Sequence, residues 1–215
     1  MTQGCCSSSG SPWEKGFETS YKLACEKLAE INVEEQCRNS GAHYAGGKEV
    51  TIRYLGQLYR IMLGDGRVLL GDGTTQAPLR DQILILHYFT GAKGTPSTGK
   101  LIAYKQLPGG AAYLPTFSQR AITPLVRAMG NNPALLVSSA TILGGRRVGY
   151  GDASVTIDAF DHVPITFVLW KGDEEVSPNG NILFDANISD YLCTEDITVL
   201  TETIVWKLVR SIRPN

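Results

Sequence analysis

Two apolar periods, mixed along one chain, predict an α+β fold: a single domain of mostly antiparallel strands packed with five or six helices. Several stretches place apolar residues at i, i+3 and i+4, others alternate apolar and polar residues, and the two kinds follow no strand–helix–strand rhythm. No linker longer than a turn separates one half from the other, so one domain over residues 12–215 is expected.

Residues 1–11 are small and polar, rich in Gly and Ser, and are expected to form a flexible N-terminal tail. They lack the basic start and apolar stretch of a signal peptide, so a cytoplasmic location with free thiols is the expectation. Five cysteines, an odd number, exclude a complete disulfide framework. From Pro12 the spacing of Phe17, Tyr21, Ala24, Leu28 and Ile31 predicts a helix, with Cys25 on the edge of its apolar stripe. Asn32 followed by Glu35 three positions on reads as the capped start of a second helix that ends near Ser40-Gly41.

A β region follows. Val50, Ile52 and Tyr54 alternate with Thr51 and Arg53, and 58–63 and 68–70 are further strands joined at Asp65-Gly66. The tetrapeptide Leu-Gly-Asp-Gly occurs at 63–66 and 70–73, which reads as one turn chemistry used twice. Pro78 suits the first turn of a helix running to about Thr90, whose apolar second half predicts a central core position. Strand-like 101–104 and the Pro108-Gly109-Gly110 break precede a helix expected over 116–129, with a kink at Pro124. Pro133 opens another helix to about Leu143. Strands are expected at 155–157, 165–170 and 182–184, with turns at 172–173 and 178–180. The closing helix, 194–211, carries an Ile197, Leu200, Ile204, Leu208 stripe with Thr194 as its expected N-cap.

Net charge is −1, which argues against nucleic-acid and anionic-membrane binding, and no apolar run approaches the ~18 residues of a membrane span. The distribution of charge is more informative. From Gln82 to Gly151, 70 residues contain no acid but seven cations: Lys93, Lys100, Lys105, Arg120, Arg127, Arg146 and Arg147. From Asp152 to Glu202 there are 11 acids and one cation, Lys171. Such segregation marks either an anion-binding face or two segments that pair with each other.

Several motifs fail their chemistry. Residues 94–101, GTPSTGKL, approach a phosphate loop, but Leu101 stands where a hydroxyl must hold magnesium, and the flanking elements are in the wrong order. His43, His87 and His162 are widely spaced, and no CxxC or HExxH pattern exists, so no metal site is expected. His87 reads as a hydrogen-bonded core histidine rather than a base. Cys193 precedes the last helix, where the dipole lowers a thiol pKa, although a buried structural thiol is the simpler reading. Asp173, Glu174 and Glu175 read as turn charges or hard-cation ligands; Asp185, after the apolar run 182–184, reads as a ligand or as the cap of the following turn.

Two segments carry a resemblance. The first is Leu107-Pro108-Gly109-Gly110 with Tyr113, Phe117, Arg120 and Pro124-Leu125 before Gly130. The second, more specific, runs from Phe167 through Trp170-Lys171-Gly172-Asp173-Glu174-Glu175 and Pro178 to Asn181-Ile182-Leu183-Phe184-Asp185, Tyr191-Leu192 and Glu195-Asp196. Together they resemble the bacterial and archaeal family catalogued as domain of unknown function 3786, over roughly 12–210. The resemblance implies a source among anaerobic microbes, where such domains occur beside or fused to iron–sulfur modules and near corrinoid or one-carbon genes. This chain has no four-cysteine cluster motif, and Cys5-Cys6 cannot replace one, so any cluster sits on a partner protein.

The expected function is a non-catalytic binding or accessory module for an anionic cofactor or partner, the partner being an iron–sulfur or corrinoid protein. Neither a specific cofactor nor a specific ligand is named by the residues. Candidate contacts are Tyr113, Phe117, Arg120 and Arg127, the two arginines being seven apart and thus near one helix face, joined by Trp170, Asp173, Glu174 and Asp185. The alternative is an enzyme using Asp173, Glu174 and Asp185 as acid, base or metal ligands. For Arg120 two accounts stand: a wall of an anion pocket, or a tie to an acid such as Asp173 or Asp185.

Overall fold

The computed structural model describes residues 12–212. The tail expected at 1–11 lies outside the described residues.

Helices α1 (Pro12–Glu30) and α2 (Val33–Ser40) open the chain. Asn32 caps α2 as its sequence requires: its side chain accepts from the Glu35 N–H at 3.1 Å, and Gly41 ends the helix at φ 75°. Strands β1 (Glu49–Tyr54), β2 (Gln57–Met62) and β3 (Val68–Leu70) form an antiparallel sheet in sequence order. The β1–β2 turn has positive φ at both Leu55 (49°) and Gly56 (76°). Leucine resists that region, but here its side chain is buried and its N–H bonds to Ala159 O at 2.9 Å, which offsets the strain. Both Leu-Gly-Asp-Gly copies form turns: Asp65 and Asp72 accept from following backbone N–H groups, and Gly66 and Gly73 have φ near 70°.

Helix α3 (Leu79–Gly91) is the central core helix, touching α1, α2 and α7 (Thr194–Ser211). Pro78 stands at its N-cap rather than within its first turn. Strands β4 (Leu101–Ala103), β5 (Arg146–Arg147), β6 (Ala153–Phe160), β7 (Val163–Trp170) and β8 (Asn179–Asp185) make a second antiparallel sheet in the order β4-β8-β7-β6-β5. The turn expected at 178–180 is displaced: Asn179 and Gly180 already pair with Trp170 and Leu169 inside β8. Helices α5 (Thr123–Met129) and α6 (Ala134–Ala140) contact this sheet, and α7 lies against both.

The helix expected from residue 116 begins earlier, at α4 (Gly110–Phe117). Gly109 enters it at φ 70°, and a side chain at Gly110 would collide with the Tyr104 carbonyl, so the glycine pair starts the helix as well as breaking the preceding strand. Instead of a kink at Pro124 there is a π-helical turn, residues 118–122, in which Thr123 N–H reaches back five residues to Ser118 O. Proline has no N–H, and its ring crowds the carbonyl four residues back; the wider turn accommodates both while the rod continues from α4 into α5.

The α+β class is thus observed, with the two antiparallel sheets sharing one hydrophobic cluster that reaches from Ala24 to Val209. Where they meet, Phe160 of β6 stacks on Tyr88 of α3 (centroids 3.9 Å apart) and lies 5.0 Å from Tyr54 of β1.

Candidate functional site

The α4–π turn and α7 run side by side and enclose a cavity of about 230 Å³. One wall is Tyr113, Thr116, Phe117 and Arg120; the other is Thr194, Glu195 and Thr198; Tyr104 completes the lining. Each wall follows the i, i+3, i+4 spacing of one helix face. The floor is rigid. Tyr104 and Phe117 are buried and stacked with centroids 3.9 Å apart, and the Tyr104 hydroxyl shares a 2.7 Å hydrogen bond with Thr198 Oγ1. Tyr113 stands at the rim, 63% exposed. Three sequence candidates, Tyr113, Phe117 and Arg120, therefore come together here.

Arg120 belongs to this lining. Its Nε and Nη2 both donate to Glu202 Oε2, at 3.2 and 2.6 Å, and Arg80 Nη2 donates to the same oxygen at 2.7 Å. Two guanidinium groups share one carboxylate, which leaves the cluster with an excess positive charge, and Arg120 Nη1 has no partner among the described residues. The tie to an acid exists, but the acid is Glu202 of α7, not Asp173 or Asp185. The other arginine of the expected pair is not at the cavity. The π turn inserts an extra residue between Phe117 and Pro124, which rotates the helix beyond it by about 100°, so Arg127 faces solvent while Arg120 lines the cavity.

The remaining candidates lie elsewhere and apart. Trp170, at the end of β7, is exposed. Asp173 caps its own turn, accepting from the Glu175 and Val176 N–H groups at 2.9 and 2.7 Å, and Glu174 beside it is exposed. Asp185 is at the opposite end of β8, about 20 Å away along a seven-residue strand. It is 2% exposed. Its carboxylate accepts from Ser97 Oγ, from Thr98 N and Oγ1, from Gly99 N and from Asn187 N, at 2.6–3.1 Å. The glycine-flanked loop 94–99 that approaches a phosphate-loop sequence does cradle an anion, and that anion is the protein's own carboxylate. Burial alone raises the Asp185 pKa, but the hydrogen bonds from Ser97, Thr98 and Asn187 outweigh it and hold the group well below the usual carboxylate range.

A second hollow, about 380 Å³, lies beyond the first turn of α7. His87 Nδ1 meets Asp196 Oδ1 at 2.8 Å, and the Cys193 thiol donates to Asp196 Oδ2 at 3.1 Å. His87 is therefore hydrogen-bonded but only half-buried, at the edge of the core. Cys193, not Thr194, is the N-cap of α7; Thr194 Oγ1 donates instead to Pro108 O at 2.7 Å, fastening the helix to the start of α4. Cys193 is exposed and so is not the buried structural thiol that is the simpler sequence reading, nor is its pKa lowered by the helix dipole. Although the residue is exposed, desolvation by the surrounding protein pushes the thiol up to about 11, with the Asp196 charge adding to it. Among the described residues no group of three or more His, Cys, Asp or Glu is placed to hold a metal ion. No helix among them is long and apolar enough to cross a membrane.

Tyr104, Thr194, Glu195, Thr198 and Glu202 are not among the site candidates that the sequence offers. The signal for the α7 wall is present: 195, 198 and 202 form a polar stripe beside the apolar one.

The geometry sits on segments that a known family shares: the model of the domain of unknown function, DUF3786, matches residues 32–207, most of the chain. The chain belongs to the DUF3786 family. The match takes in every residue lining the cavity and the Asp185 cradle. No curated protein and no solved structure matches the chain. The comparisons therefore assign this DUF3786 chain no ligand and no reaction.

Proposed function

We propose that this DUF3786 protein is a non-catalytic binding or accessory module, and that the cavity between the α4–π turn and α7 seats an anionic ligand or an anionic arm of a larger cofactor. The observation that carries the reading is the Arg80–Glu202–Arg120 cluster, in which two cations share one acid and Arg120 lines an aromatic-floored cavity. Arginine suits this role because its planar group presents parallel donors and stacks on rings. A volume of about 230 Å³ lies below the ~300–1,000 Å³ of pockets for drug-sized ligands, so it admits one ring with an acidic substituent, or one arm of a tetrapyrrole, and not a whole macrocycle. The setting implied by the family, the iron–sulfur and corrinoid-linked metabolism of anaerobes in the cytoplasm, is part of the proposal, with any cluster or corrinoid carried by a partner.

The enzyme reading has no comparable support. Asp185 has its oxygens occupied by five protein donors, and Asp173 and Glu174 lie at the far end of its strand.

The test is a native mass spectrum and an absorption spectrum of protein purified without oxygen. An anionic small molecule should co-purify, should dissociate as salt is raised, and should be absent from Tyr113→Ala, an exposed change that leaves the fold intact. Retention of the molecule by Tyr113→Ala would place its site elsewhere.

A further inference from the structure

The two ends of the cavity differ in sign. On α7, Glu195, Thr198 and Glu202 follow one face, so Glu195 is about 10 Å along the helix axis from Glu202. Glu202 is taken up by Arg80 and Arg120, and the positive excess belongs to that end. Glu195 lines the same cavity at its other end, is exposed, and its carboxylate makes no hydrogen bond or ion pair within the described residues. Between these ends lie only rings and hydroxyls: Phe117, Tyr104, Tyr113, and the threonines 116, 194 and 198. Thr194 and Tyr104 already spend their hydroxyls on Pro108 O and Thr198, so the middle of the cavity offers mostly apolar surface.

A ligand that met only the arginine end would bring its other end up to an unpaired carboxylate. An anion long enough to reach Glu195 would be repelled there. We infer that the ligand is bipolar: an acidic group for Arg120 Nη1, a flat apolar body for the Tyr104–Phe117 stack, and an ammonium or comparable donor cation for Glu195. This rests on the reading of the cavity as the ligand seat, and it narrows the ligand class from anions to aromatic or otherwise flat amino acids whose two charges stand at opposite ends.

The same cavity makes a test with simple probes possible. Three compounds share one ring: 3-[4-(aminomethyl)phenyl]propanoic acid carries both charges at opposite ends, 3-(4-methylphenyl)propanoic acid carries only the acid, and 4-methylbenzylamine carries only the ammonium. Titration calorimetry at low salt should show the bipolar probe binding at least tenfold tighter than either of the others, the size of one added charge-assisted hydrogen bond. Glu195→Gln, at an exposed position, should erase the bipolar probe's advantage over the acid-only probe. Equal binding of the bipolar and acid-only probes would overturn the bipolar inference while leaving the anion seat standing. An amine-only probe that bound as well as the bipolar one would also overturn it, and would shift the recognition to Glu195 alone. Binding of none of the three would remove both the inference and the seat on which it rests.

Discussion

At the scale of single residues, the buried Asp185 carboxylate is held by donors from Ser97, Thr98, Gly99 and Asn187. Asp185 follows an apolar strand, and its role as the cap of the turn at 187 is legible from that position, because a carboxylate two residues before a backbone N–H accepts from it. That it also holds Ser97, Thr98 and Gly99 is not legible, since those residues are more than 80 positions away. Its consequence is measurable. The native carboxyl titrates well below the usual carboxylate range, so its stabilisation is present above the unfolded pKa of about 3.9 and is lost as pH falls toward the native value. Asp185→Asn turns one acceptor oxygen into a donor facing donors and should cost about 3 kcal/mol at pH 7 in urea unfolding, with the difference from the parent shrinking below pH 4. A pH-independent difference would mean that the charge is not what the loop holds. Cys193 makes the converse case: its place before a helix favours a lowered thiol pKa and a buried structural thiol is the simpler reading, yet the residue is exposed and the thiol stands at about 11. Iodoacetamide should therefore modify Cys193 slowly at pH 7 despite its exposure, with the rate rising roughly tenfold per pH unit up to about 11. A plateau reached by pH 8 would contradict the raised value.

At the scale of elements, the apolar stripes locate the helices well, and the errors fall where geometry departs from the ideal period. The α7 stripe is buried as its spacing dictates: Ile197, Leu200, Ile204 and Leu208 are all inaccessible. Replacing Leu200 or Ile204 by Ala should cost ~2–5 kcal/mol in chemical denaturation, whereas a loss under ~0.5 kcal/mol would mean an exposed face. The rod from 110 to 129 is the counter-example. A reading at 3.6 residues per turn places Arg120 and Arg127 on one face, and the π turn between two prolines breaks that phase. Charge segregation points to the acidic last third for the partner of Arg120, and Glu202, at its end, is that partner. Arg120 is about one-third exposed, so the tie is weaker than a fully buried one. Arg120→Lys should cost about 1 kcal/mol because one ammonium replaces two donors. Glu202→Gln should cost more, about 2 kcal/mol, because it leaves two guanidinium groups facing each other without their carboxylate. If the order is reversed in urea titrations, the shared acid is not what joins α3, the π turn and α7.

At the scale of the whole molecule, the segregation of charge resolves into a few cross-links. Lys93 pairs with Asp190, Arg120 with Glu202 and Arg146 with Asp158, each joining the acid-free stretch to the acidic one. These pairs are surface or half-buried and are worth ~0–1 kcal/mol each, so they orient the segments more than they hold them together. Cohesion comes from the core, which is continuous across the contact between the two sheets. There Phe160 lies between the rings of Tyr54 and Tyr88, the Leu55 N–H bonds to Ala159 O, and the Tyr88 hydroxyl donates to Ser40 O at 2.8 Å. Phe160 is fully buried, so Phe160→Ala removes a ring from a packed site and should cost about 3–5 kcal/mol. The form of the transition is the sharper test. If the sheets share one core, the variant should still unfold in one step, with tyrosine fluorescence and far-ultraviolet circular dichroism changing together at a lower denaturant midpoint. If each sheet holds a core of its own, breaking the contact between them should separate the two signals into distinct transitions. A single coincident transition is expected, because α3 packs against α1, α2 and α7 alike, its Tyr88 ring stacks on Phe160 of β6, and Phe160 also meets Tyr54 of β1, so separating the sheets uncovers one shared cluster.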